Sequence, residues 1–197
     1  DAIDLNGDGV LEVFIGSQAF NSNGQLYWAN PQYQSGNVAF GNFDQDESPE
    51  IVFVSPTSYV VRLQNADGSI IWSAAAPGSG GGAPTVADFD GDGEPEIAVV
   101  FTNYLRVYDS NGEVLWTKTV YEPSGLTSST AFDFNLDGRY EILYADGLNL
   151  KVLDGASGAE LFIFENLSAT GMEYPVVANI DTDPSAEILM VSDASTT

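Results

Sequence analysis

The stretch that decides the fold begins Asp88-Phe-Asp-Gly-Asp-Gly-Glu-Pro-Glu96 and runs on through Ile97-Ala-Val-Val-Phe101, Thr102-Asn103 and Tyr104-Leu-Arg-Val-Tyr108. A turn-forming string, Asp109-Ser-Asn-Gly112, then leads into Val114-Leu-Trp-Thr-Lys118, and Pro84-Thr-Val-Ala87 precedes the whole. Short runs of β-branched and aromatic residues, broken by Asx and Gly, read as strands, and no helical periodicity competes with them. The spacing predicts four strands in about 45 residues, with an oxygen-rich loop joining the first strand to the second.

The loop recurs. Asp4-Leu-Asn-Gly-Asp-Gly-Val-Leu-Glu12, Asn42-Phe-Asp-Gln-Asp-Glu-Ser-Pro-Glu50, Asp133-Phe-Asn-Leu-Asp-Gly-Arg-Tyr-Glu141 and Asn179-Ile-Asp-Thr-Asp-Pro-Ser-Ala-Glu187 align with it without gaps. Successive starts are 38, 46, 45 and 46 residues apart. Positions 1, 3, 5 and 9 hold Asp4, Asn6, Asp8 and Glu12 in the first loop, and Asn42, Asp44, Asp46 and Glu50 in the second. The third has Asp88, Asp90, Asp92 and Glu96, the fourth Asp133, Asn135, Asp137 and Glu141, and the fifth Asn179, Asp181, Asp183 and Glu187. Every one of these positions carries a side-chain oxygen.

A second signature keeps the same beat. Gly24, Gly68, Gly112 and Gly158 close turn-like strings, and four residues after each stands an aromatic: Trp28, Trp72, Trp116 and Phe162. Asx and Gly supply the local hydrogen bonds and positive φ of tight hairpins. The aromatics read as core packing repeated once per unit, with cofactor stacking as the sharper alternative. Four-stranded units of 40–50 residues in tandem are the signature of propeller blades. The expected fold class is all-β, a β-propeller of four-stranded blades, forming one array over residues 1–197. Its units fall at about 1–36, 37–82, 83–127, 128–172 and 173–197, the last one partial. Pro77-Gly-Ser-Gly-Gly-Gly82 then reads as a connection between blades, as do 121–129 and 166–173, and not as an interdomain linker.

Oxygen ligands at alternate positions suit a hard cation that takes six to eight oxygens at 2.3–2.6 Å, so Ca²⁺ is expected in up to five sites. Positions 1, 3 and 5 curl toward one centre, position 7 offers a carbonyl, and the carboxylate at 9 closes the shell. An EF-hand needs its closing Glu at position 12 and flanking helices. Position 12 is Ile15, Phe53, Val99, Tyr144 or Met190, and the following segments are strand-like, so that reading fails. The loops are unequal. Gly9, Gly93 and Gly138 occupy position 6 in three of them, whereas Glu47 and Pro184 replace the glycine in the second and fifth, where weaker binding is expected. Extracellular modules bind calcium at ~10⁻⁴–10⁻³ M. At ten times the dissociation constant one site adds roughly 1.4 kcal/mol, and five add roughly 7 kcal/mol, comparable to the stability of a typical domain.

Asp-x-Asp/Asn-x-Asp-Gly-x-x-Glu between two strands, once per blade, resembles the FG-GAP/VCBS repeat family of bacterial surface proteins and integrin α-chain propellers. A literal Phe40-Gly41 and a literal Gly82-Ala-Pro84 occur, although both precede an acidic loop. The family's Gly-Ala-Pro follows one, where Ile15-Gly-Ser-Gln18 is the nearest match. The resemblance implies a propeller with calcium in the blade loops and an extracellular or cell-surface setting.

Composition limits the chemistry. Of 197 residues 29 are Asp or Glu, five are Lys or Arg and none is His or Cys, for a formal charge of −24. Five divalent ions would bring that to −14. With 44% hydrophobic and 12% aromatic residues the chain is too apolar for an acidic disordered tail. Nucleic acid and anionic membrane surfaces are poor partners for so few cations, and no apolar run approaches the length of a membrane span. Imidazole bases, thiol nucleophiles, disulfides and the usual zinc sites are excluded.

A non-catalytic, calcium-stabilised module for adhesion or for recognition of protein or carbohydrate is therefore the leading expectation. Tyr33, Tyr59, Tyr104 and Tyr121 offer stacking surface for sugars or serve as ordinary strand residues. The alternatives are a structural subunit of an extracellular filament or surface assembly, and the propeller of a polysaccharide lyase. A lyase needs a base and a group, usually a cation or a metal, to neutralise the uronate; Arg62, Arg106, Lys118, Arg139 and Lys151 are the only cations, and no constellation among them is visible. The chain opens at Asp1, close to an acidic loop, and closes one strand after another such loop. A part of a larger propeller, completed by its own remaining blades or by other chains, is expected over a closed four-bladed ring, with self-association as a third option. Asn166-Leu-Ser168 fits the glycosylation sequon.

Overall fold

The computed structural model describes residues 1–15, 17–30, 36–44, 46, 48–165, 174–183 and 185–191. Gly16, Tyr33, Glu47, Pro184, the sequon at Asn166 and the connection over 166–173 lie outside the described residues.

The predicted strands form four antiparallel sheets and the start of a fifth, arranged as blades of a β-propeller. Blade 1 comprises β1 (Ala2–Ile3), β2 (Glu12–Ile15), β3 (Gln18–Phe20) and β4 (Leu26–Ala29). Blade 2 comprises β5 (Asn37–Gly41), β6 (Glu50–Ser55), β7 (Val60–Gln64) and β8 (Ile70–Ala75). Blade 3 is β9 (Thr85–Ala87), β10 (Glu96–Phe101), β11 (Tyr104–Tyr108) and β12 (Val114–Thr119). Blade 4 is β13 (Ser129–Phe132), β14 (Glu141–Ala145), β15 (Asn149–Leu153) and β16 (Glu160–Glu165). β17 (Val176–Ala178) pairs with β18 (Glu187–Leu189) to open the next. In each four-stranded sheet neighbours in sequence are neighbours in space. Among the described residues no helix is long and apolar enough to cross a membrane.

The second strand of each central blade is the reason the units stack. All six residues of β6 and β10 and all five of β14 are buried, because alternate side chains enter the interfaces on both sides of the blade. Val52 and Val54 share a core with Ile97, Val99 and Phe101. Ala98 and Val100 share the next with Ile142 and Tyr144. A third core joins Leu5, Phe14 and Ala19 to Ile51. The first strands of adjacent blades are joined through hydroxyls: Thr85 Oγ1 donates to Ser129 O at 2.9 Å, and Ser128 Oγ to Ala83 O at 2.7 Å. Residues 77–82 connect β8 to β9 as the sequence predicts, held by a hydrogen bond from Gly81 N to Gly125 O.

The Gly-x-x-x-aromatic signature proves to be an inter-blade contact. Trp28, Trp72 and Trp116 lie on the turn of the following blade, donating from Nε1 to Ala66 O, Ser110 O and Gly155 O at 2.7, 2.9 and 2.7 Å. The turn glycine of that next blade covers the indole. A Cβ on Gly68, Gly112 or Gly158 would meet the ring at 2.7–2.8 Å, and all three have positive φ.

Candidate metal centres

Each acidic loop links the first strand of its blade to the second, and all five are wired alike. The position-3 side chain accepts the N–H of position 5: Asn6 from Asp8, Asp44 from Asp46, Asp90 from Asp92, Asn135 from Asp137 and Asp181 from Asp183. The position-5 carboxylate accepts the N–H of position 7, from Val10, Ser48, Glu94, Arg139 and Ser185 in turn. These Asx turns curl the chain so that alternate side chains share one side. Where position 1 is Asp, it accepts the N–H of the position-6 glycine: Asp4 from Gly9, Asp88 from Gly93 and Asp133 from Gly138, at 2.7, 3.0 and 3.0 Å. Those glycines have φ of 82°, 91° and 89°, the left-handed conformation that a glycine adopts without strain. Asn42 and Asn179 instead donate from Nδ2 to the carbonyls of Asp46 and Asp183.

The position-9 glutamate has a second role that spacing alone does not reveal. One oxygen of Glu12, Glu50, Glu96, Glu141 and Glu187 accepts the N–H of position 2, seven residues back, at 3.0, 2.7, 2.6, 2.8 and 2.9 Å. The position-2 side chains Leu5, Phe43 and Phe89 are core residues, so the carboxylate that closes the loop also fixes it to the blade interior. Glu12, Glu50, Glu96 and Glu141 are themselves buried.

Three of the loops gather a triad of carboxylates: Asp44 with Asp46 and Glu50, Asp88 with Asp90 and Glu96, and Asp181 with Asp183 and Glu187. In each triad the candidate ligand oxygens lie within 4.8 Å of one another. Two oxygens sharing one calcium at 2.3–2.6 Å stand no further apart than about 5 Å, so the triads fit that ion. The geometry brings together position 5 in the second and fifth loops and position 1 in the third. In the first and fourth loops the carboxylates of Asp4, Asp8 and Glu12, and of Asp133, Asp137 and Glu141, do not form such a triad. There position 3 is an asparagine, and Asn135 Nδ2 donates to both Asp137 Oδ2 and Glu141 Oε1. A half-turn of that carboxamide would present its oxygen to the same place.

The electrostatics fit a cation. Burial, with the negative charges of Asp90 and Asp92, pushes the Glu96 carboxyl up to about 7. Burial and the charges of Asp44 and Asp46 likewise raise Glu50. Asp4 is held low by the Gly9 N–H, and Asp137 by the backbone and guanidinium of Arg139.

The sequence profile of the FG-GAP-like repeat family matches residues 42–99 and 88–144, and the chain belongs to that family. No curated protein matches it. Among solved structures it is similar to the V. cholerae biofilm matrix protein Bap1, with a TM-score of 0.82 and 18% identity, over 98% of this chain and 59% of that one. It is also similar to the rhamnogalacturonan lyase YesW, with a TM-score of 0.67 and 20% identity over 98% of this chain and 33% of that one. A rhamnogalacturonan lyase of Bacillus licheniformis gives 0.67 and 16%, over 97% and 46%. The shared feature is the fold, and the chain spans 59% or less of each of these three proteins.

Proposed function

We propose that this chain is a non-catalytic binding or scaffold module of an extracellular or cell-surface protein, stabilised by calcium in its blade loops. The observation that carries this reading is the common wiring of the five loops, whose Asx turns curl them alike while the closing glutamate bonds back to the position-2 N–H, together with the carboxylate triads of the second, third and fifth. A merely solvated turn has no need of that arrangement. Sites of ~10⁻⁴–10⁻³ M affinity fill where calcium is abundant, outside the cell. The reading agrees with the setting of Bap1, a biofilm matrix protein.

The five cations support the non-catalytic reading, since each is engaged in the fold. Arg62 is buried in β7, bonded to Gln64 Oε1 and lying 4.2 Å from the Phe53 ring centroid. Arg106 bonds Thr117, Lys118 pairs with Glu160, Arg139 with Asp137 and Lys151 with Asp146. A subunit of an extracellular assembly is a second reading, in keeping with the similarity to a biofilm matrix protein.

A size-resolved thermal melt in calcium and after EGTA tests both. Binding-module behaviour is a monomer whose melting temperature falls sharply on chelation. Large particles favour the assembly, and an unchanged melt overturns the calcium reading.

A further inference from the structure

The acidic face differs from blade to blade at one loop position. In blade 3 the position-7 residue, Glu94, accepts a hydrogen bond from Ser110 Oγ at 2.8 Å and so latches the acidic loop to the β11–β12 turn. Blade 4 places Arg139 at the same position, and its stem covers Gly91 of blade 3, where a Cβ would stand 2.7 Å from Arg139 Cγ. In blade 2 the residues that align with Glu94 and Ser110 are Ser48 and Ala66, which are too short to span the gap. A groove of about 560 Å³ is left between the loop and the turn, with Asn6 and Tyr27 of blade 1 on its far side. That volume lies within the roughly 300–1,000 Å³ range of small-molecule sites.

The walls are fixed before any ligand arrives. Trp28 Nε1 holds Ala66 O at 2.7 Å and Asn30 Nδ2 holds Gly68 O at 2.9 Å, so blade 1 clamps the blade-2 turn. Asp67, which lines the groove, accepts the Ser69 N–H at 2.8 Å. Tyr27 is 44% exposed along the groove. The lining thus combines an aromatic face, the carboxamides of Asn6 and Asn65, the hydroxyl of Ser48 and the carboxylate of Asp67. Asp44, Asp46 and Glu50, the triad of the second loop, line it as well.

We propose that this groove binds a neutral saccharide, one sugar ring lying against Tyr27 and two adjacent hydroxyls completing the coordination of an ion held by Asp44, Asp46 and Glu50. The proposal rests on the calcium reading above. Calcium takes six to eight oxygens, and an ion in a triad open to a groove keeps coordination positions for a polyol. An aromatic face suits the C–H face of a sugar ring, while Asn6, Asn65 and Asp67 can bond its remaining hydroxyls. The surplus of carboxylates disfavours an acidic sugar. A basic peptide is the competing occupant and meets no aliphatic pocket here beyond Leu5 and Ala66.

The test is saturation-transfer NMR of the full chain with methyl glycosides of mannose, galactose and fucose, in calcium and in EGTA, beside calorimetric calcium titration. Transfer to at least one glycoside is expected in calcium, lost in EGTA and reduced at least tenfold in Tyr27→Ala. The double variant Ser48→Glu with Ala66→Ser installs the blade-3 latch. It is expected to abolish transfer while its melting temperature and calcium stoichiometry hold. Calcium binding without transfer to any glycoside overturns the groove and leaves the calcium reading standing, whereas absence of calcium binding overturns that reading itself. Transfer that survives the latch overturns the placement, and calcium-independent capture of octalysine in place of any glycoside overturns the ligand class.

Discussion

Glu96 Oε2 accepts the backbone N–H of Phe89 at 2.6 Å, and this single contact couples an acidic loop to a hydrophobic core. Phe89 is 1% exposed and packs among Ala98, Val100 and Ile142. Displacing the carboxylate would therefore move both the loop and the interface between blades 3 and 4. The geometry also explains why the carboxyl titrates near 7, since it is buried beside Asp90 and Asp92.

That shift makes the metal-free protein sensitive to pH in a defined direction. The native carboxyl holds its proton up to about 7, against 4.5 for an ordinary glutamate. Between those values the folded state binds more protons than the unfolded one, so stability falls as pH rises. Glu50 is raised too and acts with the same sign. In EGTA the Glu96 contribution is on the order of 2–3 kcal/mol, and the melting temperature is expected to be several degrees higher at pH 5 than at pH 8. Calcium competes with that proton, so its stabilising effect is expected to grow over the same interval. Melts at both pH values with and without calcium check this; an apo protein that gains stability toward pH 8 would contradict it.

The inter-blade indoles give a second prediction. Trp116→Phe keeps most of the apolar area but leaves Gly155 O without its 2.7 Å donor, at a cost of about 1–2 kcal/mol. Gly112→Ala is expected to cost more, because its Cβ would lie 2.7 Å from the Trp72 ring and φ is 85°. Urea unfolding of both variants tests the ranking. Equal effects would mean that the ring yields freely.

Much of this was legible in the chain. The blade-3 runs at 97–101, 104–108 and 114–118 match β10, β11 and β12 to within one residue, because period-2 patterning and Asx-Gly turns are local signals. The inter-blade role of the glycines was not, since Gly112 touches Trp72 across 40 residues of sequence. Arg62 was not legible either. One arginine among Val60, Val61 and Leu63 gives no sign that its side chain is buried over Phe53. Of the tyrosines picked out from sequence, Tyr104 packs against the core of blades 2 and 3, and Tyr59 and Tyr121 are exposed. The tyrosine beside the groove is Tyr27, whose position depends on how blade 1 meets blade 2.

Backbone conformation in the fourth loop yields a stabilising change. Leu136 occupies position 4 with φ of 59° and is 86% exposed, whereas the first and third loops place Gly7 and Gly91 there with φ of 75° and 84°. A left-handed non-glycine residue costs roughly 1–2 kcal/mol, partly offset by the greater chain entropy that glycine brings to the unfolded state. Leu136→Gly is therefore expected to stabilise by about 0.5–1 kcal/mol, read as a rise in urea midpoint with an unchanged slope. A fall in midpoint would show that the leucine makes a compensating contact.

The ion pairs differ in what they contribute, and burial decides the order. Lys151 Nζ stands 2.8 Å from Asp146 Oδ2, with side-chain exposures of 11% and 1%, whereas Arg139 and Asp137 are exposed to 50% and 35%. Exposed pairs contribute about 0–1 kcal/mol, so Arg139→Gln is expected to change stability little when calcium is chelated. Lys151→Met strips the cation from a buried carboxylate that, among the described residues, keeps the N–H groups of Leu148 and Asn149. The expected loss is about 3 kcal/mol, the range seen when one member of a buried pair is removed. Adding Asp146→Asn to Lys151→Met removes the uncompensated charge and should restore a large part of that loss. A double-mutant cycle decides the matter, because additive single effects would mean that the two groups do not interact.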